Sequence, residues 1–587
     1  MAVAHRRSSG AGRSGGGRPP RRSLRSAGRA QQRRRLLLLA ASLTLLALFG
    51  VLQAARGPDR RLVAAAAFGE ALARRDLHAI ARATVDPRTA RAPSVAHVAR
   101  TFREQWLTAT LGRLEVGKPR RRDGAVTLPA VAHTRVFGKL RGEIRLRFAS
   151  NRVLFGPELA FPGLRPGERL RRQELLPARA AILARDGTPL AQGPAWARSS
   201  PLGAAALPVT GTLAPLDGAR LREQLYAAGF PSSWPVGRSG LEQAFERRLR
   251  GRPGGVLLAG SRVLARARPR PAPALRTTID ARLQRAAVVA LGGRYGGIAV
   301  LDARDGAVRA LAGIALSGAQ PPGSTFKIVT AAAALEAGTA KPEDRFAVAR
   351  EARIDGVPIA NAHDEPCGGT LVEAFARSCN SVFAPLGVRI GARRLVATAE
   401  RLGFNRPAPV PGAVTSVVPQ ASELRSPLEL AATAIGQGRV LATALAMASV
   451  TQAVAADGER ARPHVLPGAA RPERALSART AAQLKRMMRA VVEFGTGVSA
   501  ALPTVEIAGK TGTAELESRP QAAGVERPVD DPSRTDAWFC GFAPYRRPLL
   551  ALCVLLVRAG EGGRTAAPVA RQVFATLAAG PASDRSR

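Results

Sequence analysis

Ser324 and Lys327 stand three residues apart in "PPGSTFKIVTAAAALEAG", residues 321–338. Two prolines and Gly323 break the chain before this stretch, and Gly338 closes it, so the spacing predicts a helix from Ser324 to Gly338. Residues three apart share a helix face, which lets the hydroxyl and the amine meet. The serine falls in the first turn, where unpaired N–H groups and the helix dipole favour developing negative charge. A serine hydroxyl is a weak nucleophile until a base takes its proton. A lysine held out of water can lose its own proton near neutral pH, whereas an arginine cannot. The distinction matters in this chain, because only six of its 88 basic Lys and Arg residues are lysines: Lys118, Lys139, Lys327, Lys341, Lys485 and Lys510.

Alone, Ser-x-x-Lys also reads as a capping serine beside a surface lysine. Two further stretches change the weight. "SCN", Ser378–Asn380, follows 54 residues after Ser324, and "KTGT", Lys510–Thr513, lies on a strand-like run towards the C-terminus. Were each basic slot filled at the chain's own lysine-to-arginine ratio, both would be lysine roughly once in 200 trials, so the amine is chemically demanded there. In this order the three stretches are the signature shared by serine β-lactamases and penicillin-binding proteins.

With those residues in place the chain resembles a class B penicillin-binding protein, a monofunctional D,D-transpeptidase of peptidoglycan synthesis. "TTIDARLQRAA", "GGIAVLDARDGAVRALA", "PPGSTFK", "AIGQGRVLATALAMA", "GTG" at 495–497, "KTGTAE" and "WFCGFAP" are similar to its transpeptidase domain; "ILARDGTPLA" and "SGLEQAFERRLRGRPGG" are similar to its pedestal, or dimerisation, domain. Residues 58–156 resemble, more loosely, a nuclear-transport-factor-2-like domain. The resemblance implies a mixed α/β (α+β) multidomain chain whose C-terminal part has the penicillin-binding-protein/serine β-lactamase-like transpeptidase fold. It implies that Ser324 attacks the penultimate D-alanine carbonyl of a stem peptide, that Lys327 accepts its proton, and that Ser378 relays protons to the leaving D-alanine. Asn380 would hold the peptide amide, Lys510 and Thr511 the terminal carboxylate. The backbone N–H groups of Ser324 and Thr513 would form the oxyanion hole, and Gly512 would let substrate lie against the strand. β-Lactams would acylate the same serine. No cofactor or metal is implied, and the six histidines make no metal pattern. Two departures stand out: the pedestal's usual Arg-Gly is Arg179-Ala180, and the frequent His before Ala-Trp-Phe is Asp536, which would alter the rim of the site.

These residues need elements to hold them. Residues 1–35 carry eleven arginines and no acid, a composition that buries no core and marks a disordered basic tail. Residues 36–55, "LLLLAASLTLLALFGVLQAA", hold no charge and would span about 30 Å as a helix, the thickness of the hydrocarbon layer. Arg33–Arg35 place the N-terminus in the cytoplasm and the rest outside the cell membrane. A cleaved signal peptide is the alternative, but the run is long for one and lacks small-x-small residues at its end. Amphipathic helices followed by alternating strands fill 58–156, a Pro- and Gly-containing linker follows, and 165–275 form the pedestal. There Ser239 and Glu242 read as a capping box for a helix that Gly251 stops. Residues 276–580 form the transpeptidase domain, with an Asp-Gly hairpin turn at 305–306 and three late strands; Glu515–Ala537 would be a rim loop. Cys540 and Cys553 would face each other across a hairpin; disulfides and buried thiols both remain open for the four cysteines.

The net charge of +45 first suggests nucleic acid, yet the arginines are scattered and aromatics are only 4 %, so no nucleic-acid role is expected. A β-lactamase-like hydrolase would not need the anchor and front modules. A D,D-carboxypeptidase differs only in using water as acceptor, and a non-catalytic scaffold of a division or elongation complex would not need three intact motifs. No glycosyltransferase region fits before the pedestal, so a separate membrane glycosyltransferase is the expected partner.

Overall fold

The computed structural model describes residues 59–468, 471–515 and 534–578, with Ala41, Ser42, Thr44, Leu45 and Ala47. The expected basic tail, nearly all of the apolar run at 36–55 and most of the expected rim loop lie outside the described residues. No helix among the described residues is long and apolar enough to cross a membrane. The chain divides into two compact units, one comprising residues up to 102 with 114–131 and 141–167, the other 103–113, 132–140 and everything from 168.

In the first unit the helices Arg60–Arg74 and Leu77–Ala83 each begin at an aspartate, Asp59 and Asp76, whose side chain accepts a hydrogen bond from a first-turn N–H. Their apolar faces bury Phe68, Leu72 and Ile80. Strand Arg120–Arg122 turns back onto the start of Ala125–Thr134 through Asp123 and Gly124, both at positive φ, as a two-residue hairpin requires.

The second unit begins with a three-stranded antiparallel sheet in which Gly254–Ala259 lies between Leu170–Leu175 and Arg262–Ala267. Beside it the expected capping box is not formed. Ser239 Oγ accepts from the Thr212 N–H, and the segment folds as two short turns, Gly240–Ala244 and Glu246–Leu249. Glu242 points inward at 2 % exposure and accepts from Arg179 Nη2 (2.5 Å) and Arg198 Nε (2.8 Å); Glu246 takes Arg179 Nη2 at 2.7 Å. The reason is energetic: a buried guanidinium without a carboxylate costs several kcal/mol, more than the ~1 kcal/mol of a lost cap.

The remainder is built on a five-stranded antiparallel sheet, in the order Val308–Gly313, Gly296–Asp302, Leu550–Leu556, Thr535–Ala543, Ala508–Glu515. Its central strands are buried on both faces, which is why "LALCVLL" is continuously apolar. One face (Phe539, Leu552, Val554) packs on Leu283, Ala287, Val569 and Val573 of the helices Ala281–Leu291 and Ala567–Phe574. The other (Trp538, Cys540, Cys553) packs into the core that holds Ile328, Met447 and Leu484. Gly306 turns the first hairpin at φ +72°, where the Asp-Gly pair predicted it. Both cysteine pairs are disulfides, Cys540–Cys553 across registered strands and Cys367–Cys379 closing a twelve-residue separation.

Replacing Arg179 by alanine leaves Glu242 with Arg198 alone and takes from Glu246 its guanidinium partner. We expect a loss of about 3–5 kcal/mol in urea-unfolding free energy, against under 1 kcal/mol for Ser239→Ala.

Candidate active site

The segment carrying Ser324 begins as a single 3₁₀ turn, Gly323–Phe326, and continues as the α-helix Lys327–Glu336. Ile328 to Ala334 are all buried, so this helix is apolar all round and runs through the core. Thr330, the polar exception, donates its hydroxyl to Ala434 O at 2.6 Å. The turn meets the Ala508–Glu515 edge strand through two glycines. A Cβ on Gly323 (φ +50°) would sit 2.6 Å from Thr513 O, and one on Gly512 would sit 2.8 Å from Pro322 O. Gly512 therefore has a structural duty besides the one the resemblance implies: it lets the strand lie against the Gly323–Phe326 turn. Ser324 stays half-buried on that turn while Lys327 is completely buried.

Ser378 enters from a third element. Helix Leu371–Ala376 is started by a Thr370/Glu373 capping box and gives way to Ser378 at φ +65°, after which Asn380–Ile390 forms the next helix. A left-handed serine is uncommon and must be held. Ser378 N donates to Phe375 O (3.1 Å), Cys379 N to Ala374 O (2.9 Å), and Cys379 is tied to Cys367.

The three elements converge on two amines. Lys327 Nζ donates to Ser378 O at 2.7 Å and to Asn380 Oδ1 at 2.6 Å, with Ser378 Oγ at 3.4 Å. Lys510 Nζ donates to Ser378 Oγ at 2.8 Å and to Thr511 O at 2.9 Å. Phe383 and Phe375 lie 5.7 and 5.6 Å from the two amines. Among the described residues neither lysine has a carboxylate partner. Burial, with repulsion from Lys510, pushes the Lys327 pKa far below the usual lysine range; burial alone brings Lys510 to about 7.

This arrangement has a direct chemical reading. A neutral amine carries two N–H bonds and one lone pair. With the N–H bonds of Lys327 directed at Ser378 O and Asn380 Oδ1, the lone pair is left to accept a proton. Ser324 Oγ makes no hydrogen bond to Lys327 in this structure, since the amine is drawn towards the Ser378–Asn380 turn; such bonds often tighten only once substrate is seated.

All four residues expected to be catalytic, Ser324, Lys327, Ser378 and Lys510, thus lie on neighbouring elements, with Asn380 and Thr511 beside them. Thr511 shares a hydrogen bond with the Thr496 hydroxyl, and Thr513 Oγ1 accepts from Gly562 N at 3.4 Å. Asp536 departs from the expectation of a rim residue. It is fully buried opposite Ala514, accepts from Arg558 N at 2.9 Å, and burial pushes its carboxyl pKa up. Sequence reading also gave no role to His363. Its Nε2 lies 2.7 Å from Glu561 Oε1, joining the loop whose Asn361 accepts from Ser381 N to the residue before Gly562. No short motif signals this pairing, because its partners are 198 residues apart in the chain.

Residues 296–575 match the family described as the penicillin binding protein transpeptidase domain, and residues 191–260 the penicillin-binding protein dimerisation domain. The chain is 34 % identical over 289 residues to the peptidoglycan D,D-transpeptidase PbpA of Mycobacterium tuberculosis, a match covering 44 % of this chain and 55 % of PbpA. It is 27 % identical over 418 residues to the peptidoglycan D,D-transpeptidase MrdA of Acinetobacter baumannii, covering 58 % of this chain and 60 % of MrdA. The match thus spans little more than half the length of these curated relatives. Among solved structures, Pseudomonas aeruginosa PBP2 in complex with WCK 5153 aligns at TM-score 0.59 and 26 % identity, covering 69 % of this chain and 96 % of that one. A ceftriaxone acyl-enzyme complex of penicillin-binding protein A from M. tuberculosis aligns at TM-score 0.55 and 25 % identity, covering 68 % and 98 %.

The repulsion between the amines makes a testable statement. In Lys510→Met the Lys327 amine loses its cationic neighbour, so its pKa rises towards the ordinary range. Titration of ¹³Cε-labelled lysine by NMR, tractable with six lysines, checks this; an unmoved Lys327 resonance would refute the coupling.

Proposed function

From a penicillin-binding-protein dimerisation domain followed by a transpeptidase domain, we propose that the chain is a peptidoglycan D,D-transpeptidase that cross-links D-Ala-D-Ala stem peptides through an acyl-enzyme on Ser324. The observation that carries the reading is the pair of buried amines, Lys327 and Lys510, joined by Ser378 and without a carboxylate partner among the described residues. Neutral Lys327 takes the Ser324 proton as Oγ attacks the penultimate D-alanine carbonyl. The Ser324 and Thr513 N–H groups stabilise the oxyanion. Ser378, bonded to Lys510, passes a proton to the departing D-alanine amine. A second stem's amine then attacks the ester, releasing Ser324 and forming the cross-link. The donor peptide adds along the unpaired edge of Ala508–Glu515, the outermost strand of the sheet. Its terminal carboxylate meets Lys510 and Thr511, and binding that anion restores the Lys510 proton which burial disfavours. Asn380 holds the peptide amide. A β-lactam follows the same first step and stays on Ser324.

In the same proposal residues 36–55 anchor the chain in the cell membrane, with 1–35 cytoplasmic and the rest outside. Residues 58–156 form a nuclear-transport-factor-2-like spacer, 165–275 the pedestal and 276–580 the catalytic domain. Glycan polymerisation comes from a separate membrane glycosyltransferase.

Labelling with a fluorescent penicillin gives a covalent band in the wild type and none in Ser324→Ala; an equally strong band in the variant would overturn the assignment. Lys327→Met lowers the second-order acylation rate by about 10²–10⁴-fold while thermal unfolding remains cooperative. In the wild type that rate rises with pH as Lys327 loses its proton. For carboxylate-bearing donors it falls again above about 7, where free Lys510 becomes neutral. A rate independent of pH between 5 and 9 would contradict the amine-base mechanism.

A further inference from the structure

A second cationic site lies on the other side of the nucleophile segment. Helix Ala444–Ala455 is capped by Thr443, whose Oγ1 accepts from Ala446 N, and its N-terminal turn opens on a cavity also lined by Gly403, Ser416, Ser449 and Arg460. None of the residues assigned to acyl transfer lines this cavity. Arg460 is 8 % exposed. Its Nε donates to Ser449 Oγ at 3.1 Å, but among the described residues its two terminal nitrogens have no hydrogen-bond acceptor and no carboxylate at ion-pair distance. Glu473, its partner in register on the short strand pair, instead takes Arg462 Nη2 at 2.9 Å and lies 4.0 Å from Arg406 Nη1.

Burying a guanidinium without a direct ion pair is costly, and burial lowers the Arg460 pKa to about 10 against the more distant attraction of Glu473. The chain nonetheless makes room for it. Gly403 sits at φ +109°, and a Cβ there would strike the guanidinium. Two hydroxyls are poised beside it. Ser416 Oγ already accepts from Thr443 N (3.0 Å) and Ser449 Oγ from Arg460 Nε, so each keeps its O–H to donate. The helix N-terminus adds the positive end of a dipole, although the N–H groups of Leu445, Ala446 and Met447 are already taken by Ala315 O, Thr443 Oγ1 and Thr443 O.

We propose that this cavity is an anion site, taking a small oxyanion of the carboxylate or phosphate kind on the terminal nitrogens of Arg460, with the Ser416 and Ser449 hydroxyls donating to it. Gly403 lines the cavity, and the ring of the next residue, the buried Phe404, packs edge-on against Phe326 of the Ser324 turn at 5.4 Å. The site therefore backs onto the segment that carries Ser324.

The test uses detergent-solubilised full-length protein, titrated separately with inorganic phosphate and with acetate at constant ionic strength, with thermal unfolding as readout. A saturable rise in Tm is expected with at least one of them. Saturation by acetate alone assigns a carboxylate ligand, by phosphate alone a phosphate, and by both the shared chemistry. Arg460→Met should abolish the rise and, in anion-free buffer, melt no lower than wild type, because it removes an uncompensated charge. Should that variant fail to fold, Arg460→Lys keeps the charge but loses the paired nitrogens and should bind about tenfold more weakly. Lys510→Met should leave the rise intact. The proposal is overturned by no rise with either anion, by a rise that survives Arg460→Met or Arg460→Lys unchanged, or by one lost in Lys510→Met.

Discussion

Two ammonium groups without a carboxylate between them are an expensive thing to bury. A pKa of about 7 in place of the usual 10.5 means that the charged form of Lys510 is disfavoured by about 5 kcal/mol. The surrounding fold exists to hold that arrangement against relaxation. Lys510 is fixed because it belongs to a strand of the central sheet. Lys327 is fixed because its helix is buried on every side and cannot roll. Ser378, whose carbonyl and hydroxyl each take one amine, is fixed because its own N–H and that of Cys379 are hydrogen-bonded. If any one element could shift, the amines would find water and regain ordinary basicity.

The glycines at the strand–turn contact follow from the same constraint. A lysine can reach Ser378 from the edge strand only if that strand lies close to the nucleophile turn. Side chains at Gly323 or Gly512 would wedge the two apart by striking backbone oxygens rather than yielding side chains. Further out, around Arg179, charge is treated oppositely: Arg179 and Arg198 are matched by Glu242 and Glu246, so burial there yields rigidity without reactivity.

Much of this was legible from residue order. The Ser-x-x-Lys spacing, the lysines kept in an arginine-rich chain, and the alternation or continuity of apolar residues located the nucleophile helix, the Asp-Gly hairpin and the three late strands. What could not be read was orientation. Ser239 and Glu242 have the spacing of a capping box, yet Glu242 turns inward, because the arginines that claim it are 63 and 44 residues away in the chain. Asp536 sits where a rim residue was expected, but strand alternation sends it into the core. The direction of the Lys327 N–H bonds depends on Ser378 and Asn380, over fifty residues downstream, and the His363–Glu561 pair joins residues 198 apart. Local patterns encode which elements form; the partners of buried polar atoms are decided by topology, and short motifs carry little of that information.

The Cys367–Cys379 bond lies immediately beside Ser378, so the loop presenting that hydroxyl is drawn shut by an oxidation event rather than by packing alone. Assembly of the reactive centre is thereby coupled to electron removal after synthesis. A polypeptide still bathed in thiol reductants would keep the two backbone hydrogen bonds at Ser378 and Cys379 but lose the covalent tie between this turn and Cys367.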